Sequence, residues 1–413
     1  MIPEGNCIYA QSGGPTSVIN ASAAGVIKTA RNSGAIPKIY AAAYGVKGLL
    51  NHTIYDISEE DPKEIDLLIT TPGSIFGTSR YKLKTFEEDE SDYKKILDIF
   101  KKLNIRFFFF NGGNDSMDTC NKINSYLKNS GYDCNVIGIP KTVDNDLQET
   151  DHCPGFGSAA KFISTTITEM RLDADSYDSG LVIIAEIMGR NAGWLTAASA
   201  LALNEELGPD LVYLPEKTFS IEKFIDDARA VLAKKKNLII AVSEGIRDDK
   251  GQYITDVAGN NKVVDSFGHK QLGGAATILG EILKEKISTR IRTMDIILSQ
   301  RCAAHWASKT DIEESFMAGK CAVEYALEGK SGYMIGFERA NSNPYNCIVK
   351  LIDVAHTANR EKTVPLDWLT SEGNGVTKPF FDYALPLIQG EPVMPMEKGL
   401  PRFARLSKQK VLS

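Results

Sequence analysis

Apolar and polar positions follow two alternating patterns along this chain. Short apolar runs end in glycine-rich polar turns, and longer stretches with helical spacing follow them. The densest run is RFFFF at 106–110. Four consecutive Phe predict a strand buried on both faces. The strand ends at Asn111, Gly112-Gly113 make a tight turn, and Asn114-Asp115-Ser116 are expected to supply the N-cap of a helix. The same order occurs earlier. A strand at 7–10 runs into QSGGPTS and then a helix at 18–31, whose Ala21, Ser22, Ala23, Ala24 and Gly25 suit close packing on the sheet. Further strands are predicted at 38–43, 135–139, 181–187, 211–214, 237–243 and 290–298, with a late pair at 332–337 and 347–351. Helical spacing marks 93–103, 159–174, 195–203, a helix ending near Lys286, and an amphipathic helix at 313–327 capped by Gly329. The tail, rich in Pro and Lys, reads as a surface arm. No repeat, heptad pattern or low-complexity tract interrupts this order. Strand and helix in alternation mean an α/β protein with mostly parallel sheets.

Composition narrows the classes. At 413 residues the chain is long enough for two domains, and 43% hydrophobic with 24% charged residues is a globular balance. A net charge of −6 argues against a broad nucleic-acid surface. No apolar run reaches membrane-spanning length, and MIPEGNCIYAQ has no signal-peptide core. The seven Cys are scattered without C-x-x-C spacing, so reduced thiols and a cytoplasmic location are expected. The five His lie far apart, and no His-based metal site is expected.

Candidate chemistry gathers where strands end. Strand, glycine turn and helix N-terminus make an anion site, because free N–H groups and the helix dipole converge there. Asp115 inside such a turn either brings a metal to the anion or excludes a bulkier one. The first glycine loop lacks the G-K-[ST] ending of a Walker A loop and the three-glycine dinucleotide fingerprint; by itself it is equally a simple turn. TPGSIFGTSR at 71–80 ends in Arg80, with Lys82 beyond, and suits either phosphate contact or a surface loop. In PKTVDND at 140–146, Asp144 and Asp146 would point the same way from an extended segment. Carboxylates that close repel unless a cation or proton lies between them. Lys141 favours a phosphate site over a loop of Asx-turns. Arg190 follows the strand at 181–187, Glu244-Gly245 close that at 237–243, and Gln300-Arg301 follow that at 290–298. Ligands in open parallel sheets collect at these carboxyl ends.

Gly13-Gly14, GGNDS at 112–116, PKTVDND at 140–146, MGRNAG at 188–193, Glu244-Gly245, LGG at 272–274 and SQR at 299–301 occur in one order. That set resembles the phosphofructokinases over nearly the whole chain. The resemblance implies two Rossmann-like three-layer domains with mostly parallel sheets. Residues 1–150 and about 300–345 would bind the phosphoryl donor; 151–299 and about 346–413 would bind the sugar phosphate. It implies Asp144 as base for the sugar 1-hydroxyl, within Thr142-Val143-Asp144. Mg²⁺ would be held by Asp146 and, at the position of the family's usual metal-side Asp, by Asn114. Met188, Gly189, Arg190, Glu244, Leu298, Ser299, Gln300 and Arg301 would surround the sugar phosphate. Gly14 and Arg80 would contact donor phosphates. Arg292 matches a position that reaches a neighbouring subunit's sugar site, so a homodimer or homotetramer is expected.

The resemblance also addresses the donor. ATP-using members carry glycine at the positions of Asp115 and Lys141; pyrophosphate-using members carry Asp and Lys, as here. A carboxylate at 115 would oppose an α-phosphate, and Lys141 can neutralise a short donor's leaving phosphate. Pyrophosphate and fructose 6-phosphate are the expected substrates, in a readily reversible glycolytic or gluconeogenic step. Three positions depart from the family pattern. Asn114 replaces the usual Asp, Leu298 a polar His or Tyr, and Leu181 a subunit-crossing Arg. The second and third leave sedoheptulose 7-phosphate open as an acceptor. Two rivals remain at this point: a nucleotide-dependent kinase of the wider superfamily, and a catalytically silent sugar-phosphate-binding regulator.

Overall fold

The computed structural model describes residues 4–257, 273–287, 290–357 and 360–411. Leu272 of the LGG motif lies outside them. The strands, in chain order, are β1 (Asn6–Gln11), β2 (Ile39–Ala42), β3 (Ile54–Asp56), β4 (Ile105–Gly112), β5 (Asn135–Pro140), β6 (Leu181–Ile187) and β7 (Leu211–Tyr213). Then come β8 (Leu238–Ser243), β9 (Arg290–Asp295), β10 (Tyr333–Ser342), β11 (Tyr345–Asp353), β12 (Met396–Glu397), β13 (Leu400–Pro401) and β14 (Gln409–Lys410). The larger sheet has the order β11-β10-β5-β4-β1-β2-β3-β14. Its centre, from β10 to β2, is parallel, and its edges are antiparallel. The smaller sheet, β7-β8-β6-β9, is parallel throughout. The expected α/β architecture with mostly parallel sheets is present, and β3, too short to show a period, was not legible.

The four Phe of β4 do what their run implied. Phe107 and Phe109 pack with Tyr9 and Ala318 on one face, Phe108 and Phe110 with Phe100 and Ile96 on the other. Each is almost wholly buried, worth roughly 1.5–3 kcal/mol of transfer free energy apiece. That anchors the strand whose end carries the second glycine turn.

Several local expectations are corrected. Gly113, not residues 114–116, is the N-cap of the helix Asn114–Asn129, and no side chain caps it. Asn114, Asp115 and Ser116 sit in its first turn instead, so their side chains are left for other partners. The small residues of the helix Ile19–Asn32 serve two neighbours: Ala23 and Ala24 share a core with Tyr9 and Phe107 of the larger sheet, and Gly25 meets the helix Lys309–Leu327. A Cβ on Gly25 would fall 2.2 Å from the Phe316 carbonyl oxygen, and one on Gly319 2.0 Å from that of Ser22. The segment at 195–203 divides into a short α-helix, Trp194–Ala198, and a 3₁₀ helix, Ser199–Glu205. Strand β9 stops at Asp295.

The C-terminal residues are more than a surface arm. Val364, Leu369, Phe380, Ala384 and Leu387 pack into the core of the smaller sheet, whereas β11 and β14 extend the larger one. Of residues 346–413, expected with the sugar-phosphate domain, 346–353 and 409–410 therefore belong to the other sheet. Asp311, from the helix Lys309–Leu327, accepts the N–H groups of Gly155 and Ser158, both at 2.9 Å. It thereby caps the helix Phe156–Asp175. Nearby, His152 is buried between Asp151 and Glu314 at 2.9 and 2.7 Å. Burial opposes its charge, but the two carboxylates win and push its pKa up to about 9. No helix among the described residues is long and apolar enough to cross a membrane.

Candidate active site

The carboxyl ends of β1, β4, β5 and β6 open onto one cleft of about 490 Å³. Its walls include Gly13, Gly14, Arg80, Asn114, Asp115, Lys141, Thr142, Asp144, Asp146 and Arg190. Sequence-distant loops meet there because each is tied to its neighbour. Gln11 and Asn20 hold the loop that carries Arg80: Phe76 N–H donates to Gln11 Oε1 at 3.2 Å and Ile75 N–H to Asn20 Oδ1 at 3.1 Å. Thr78 Oγ1 donates to the Gly13 carbonyl at 2.7 Å. Lys141 Nζ donates to the Gly14 carbonyl at 2.7 Å, reaching from the end of β5 to the first glycine loop. Gly13 is glycine for two reasons. Its φ is +79°, and a Cβ there would sit 3.0 Å from Lys141 Nζ.

The acids do not lie on an extended segment as expected. Asn145, between them, has φ +55° and turns the chain. Its amide donates to Tyr383 Oη at 2.7 Å and its carbonyl accepts Cys153 N–H at 2.9 Å, which fixes the turn. Both carboxylates still face the cleft, now by tertiary constraint rather than strand pleat. Val143 points into the core.

Charge is dense here, and burial shifts it. Lys141 is 3% exposed. Burial lowers its pKa to about 7, against the pull of Asp144. Burial raises Asp144, opposed by Arg301, Lys141 and Arg190. Asp146 is pushed up to about 7 by burial and then by Asp144 and Glu361. Glu244 is also raised to about 7, chiefly by burial. Cations and carboxylates whose pKa values converge near neutrality mark a site that handles protons and anions.

A model of the family described as phosphofructokinase matches residues 6–294. The chain belongs to the phosphofructokinase family. A pyrophosphate–fructose 6-phosphate 1-phosphotransferase of Halomonas elongata is 42% identical over 410 residues, covering 98% of this chain and 97% of that one. Two crystal structures of pyrophosphate-dependent phosphofructokinases are similar throughout. That from Marinobacter aquaeolei has a TM-score of 0.89 at 38% identity, covering 99% of this chain and 98% of that one. That from Nitrosospira multiformis has 0.90 at 37%, covering 100% and 98%.

In this phosphofructokinase the remaining predicted residues fall into two groups. Arg301, Met188, Gly189 and Glu244 adjoin the cleft. A Cβ on Gly14 would lie 3.9 Å from the Arg301 guanidinium carbon, and Arg301 Nη2 is 3.7 Å from Met188 Sδ. Glu244 Oε1 accepts Gly189 N–H at 3.4 Å. Arg292, Leu298, Ser299 and Gln300 are not among the residues lining it. Arg292 and Ser299 are exposed, Leu298 is 73% exposed, and the Gln300 side chain is wholly buried. Leu181, at the subunit-crossing position, is buried in β6. Conversely, Asn191 and Glu361 line the cleft without having been singled out. Asn191 lay inside MGRNAG and was findable. Glu361 sits in no motif and reaches the cleft only through the fold.

Enzymes of this family need a divalent metal, and the residues fit one. Asn114 Oδ1, Asp144 Oδ1 and Asp146 Oδ1 are buried with no hydrogen-bond partner. Buried oxygens left so are costly unless a cation meets them.

Proposed function

We propose that this protein transfers a phosphoryl group reversibly from pyrophosphate to the 1-hydroxyl of fructose 6-phosphate, yielding fructose 1,6-bisphosphate and phosphate. The observation that carries the reading is the convergence of Asp115 and buried Lys141 on one cleft. The relatives' names support it. Phosphoryl transfer asks for an aligned hydroxyl, a group to take its proton, and cations around the phosphates. Asp144 is the base; burial raises its proton affinity while Arg301, Lys141 and Arg190 keep the carboxylate form accessible. Lys141 faces the departing phosphate, with Gly14 and Arg80 along the donor. Arg190, Arg301, Glu244 and the Met188-Gly189 backbone hold the sugar phosphate. Mg²⁺ is the ion this reading calls for; Asn114 and Asp146 would hold it, and it would neutralise charge on the transferred group.

The division of labour belongs to the same proposal. The larger sheet presents the donor loops and the smaller one the sugar-phosphate loops, in the cytoplasm. The decisive assay supplies purified protein with fructose 6-phosphate and either pyrophosphate, ATP or GTP. Turnover with pyrophosphate is expected; turnover confined to a nucleotide overturns the donor. Leu298, exposed and apolar, offers no polar contact on its side. Sedoheptulose 7-phosphate is therefore the second acceptor to assay.

Assembly is part of this reading. Strand β9 is an edge of the smaller sheet, with Arg292 and Met294 exposed on it. An edge strand invites pairing, and Arg292 would complete a neighbour's sugar site in a homodimer or homotetramer. Arg292→Ala is then expected to raise KM for the sugar phosphate while leaving the thermal transition unchanged. A wild-type monomer, fully active in a sedimentation-coupled assay, counts decisively against it.

A further inference from the structure

The segment from 360 to 364 lies beyond the residues that match the family model. It runs beside the loop that carries Asp144 and Asp146. Leu147 and Glu361 form an antiparallel bridge, and Lys362 N–H donates to the Asp146 carbonyl at 2.7 Å. Gln148 Nε2 donates to the Glu361 carbonyl at 2.6 Å. Lys362 Nζ donates to the carbonyls of Thr150 and Asp151 at 3.0 and 2.8 Å, and Trp194 Nε1 donates to the Lys362 carbonyl at 2.8 Å. Glu361 is thus held at the cleft wall by its own backbone and by both neighbours.

Asn114 takes part in the same arrangement. Its Nδ2 donates to the Arg360 carbonyl at 2.6 Å. The amide that replaces the family's usual carboxylate therefore fastens the segment that brings a different carboxylate in. Asn191 Nδ2 donates to Glu361 Oε1 at 3.0 Å, which orients the group. Glu361 lines the cleft together with Asn114, Asp144 and Asp146. A third acid fixed beside two others is unfavourable unless a cation joins them. The unpartnered buried oxygens of Asn114, Asp144 and Asp146 point independently to such a cation.

We propose that Glu361 is an acidic partner of the divalent cation beside Asp146, supplying from the C-terminal segment the charge that Asn114 lacks. The inference rests on the reading of the cleft as a metal–diphosphate site. Mg²⁺ keeps several waters, so a carboxylate at the wall can hold it through one of them.

The test compares full-length wild type, Glu361→Gln and Glu361→Asp. Mn²⁺ binding is followed by electron paramagnetic resonance, with and without a non-transferable diphosphonate, and the Mg²⁺ concentration for half-maximal turnover is measured. Glu361→Gln is expected to weaken Mn²⁺ binding by about 10–100-fold. Its kcat should recover at saturating Mg²⁺ with KM for the sugar phosphate unchanged. Glu361→Asp, which keeps the charge, should bind Mn²⁺ nearly as wild type does. Wild-type Mn²⁺ affinity in Glu361→Gln overturns the proposal, and so does a loss of thermal stability in both variants without a change in Mn²⁺ affinity. If wild type used ATP and not pyrophosphate, the donor reading would fail. The Mn²⁺ comparison would still decide the role of Glu361.

Discussion

Replacing Lys141 by glycine is expected to lower kcat/KM for pyrophosphate by about 30- to 1,000-fold. The ammonium is 3% exposed and tethered to the Gly14 carbonyl at 2.7 Å, so it neither moves away nor is screened by water. A fixed charge facing a leaving phosphate in such a site is worth roughly 2–4 kcal/mol, and about 1.4 kcal/mol is tenfold in rate. Asp115→Gly acts in the opposite sense. It removes a carboxylate from the first turn of the helix Asn114–Asn129, opens the cleft wall, and should let weak ATP use appear. The effects of the two changes should not add, because both act on one bound anion. The measurement is kcat/KM for pyrophosphate and ATP in wild type, both single variants and the double variant. Unchanged pyrophosphate turnover in Lys141→Gly would overturn this account of the donor site. The same lysine sets a pH dependence. Its pKa is lowered to about 7, mainly by burial, so the charged form is lost from free enzyme as pH rises through that value. The kcat/KM for pyrophosphate should therefore fall on the alkaline side. Lys141→Arg, which stays charged, should move that fall to higher pH.

Asp144→Ala is expected to reduce kcat by about 10²–10⁴-fold, the usual cost of removing a general base. Sugar-phosphate binding should survive, because in this reading Arg190, Arg301 and Glu244 rather than Asp144 hold the sugar phosphate. The backbone turn should survive as well, since Asn145 is fixed by Tyr383 and Cys153 rather than by the carboxylate. Asp144 is raised by burial. Its base form is lost as pH falls through that raised value, so wild-type kcat should decline on the acid side. One secondary effect is built in: without Asp144, Lys141 loses a nearby charge that favours its ammonium. Asp144→Asn carries the same consequence with smaller disturbance of packing. Near-normal kcat in either variant, measured with sugar-phosphate affinity in parallel, would remove Asp144 from the base role.

Much of this protein was legible in the linear sequence because its central strands are short-range objects. The Phe107–Phe110 run could only be a strand covered on both faces, and the structure divides those rings between two cores. The glycine turn after β4 pointed to an anion site, that after β1 read equally as a simple turn, and Asp115, Lys141, Asp144, Asp146 and Arg190 line one cleft. Their loops follow strands of parallel sheets, and parallel strands present their carboxyl ends on one side. What escaped the sequence was set by contacts between distant segments. The two acids were expected to align along an extended segment, yet a left-handed Asn145, held by Tyr383 from 238 residues away, aligns them instead. The small residues of the first helix were assigned to the sheet, and Ala23 and Ala24 do share its core, but Gly25 meets a helix almost 300 positions later in the chain. Glu361 reaches the cleft through backbone pairing with Leu147, and that pairing depends on no local pattern. Periodicity and turn chemistry are written within a few residues of sequence. Which loop end faces which carboxylate is decided only when the sheets pack and the C-terminal segment is laid across them.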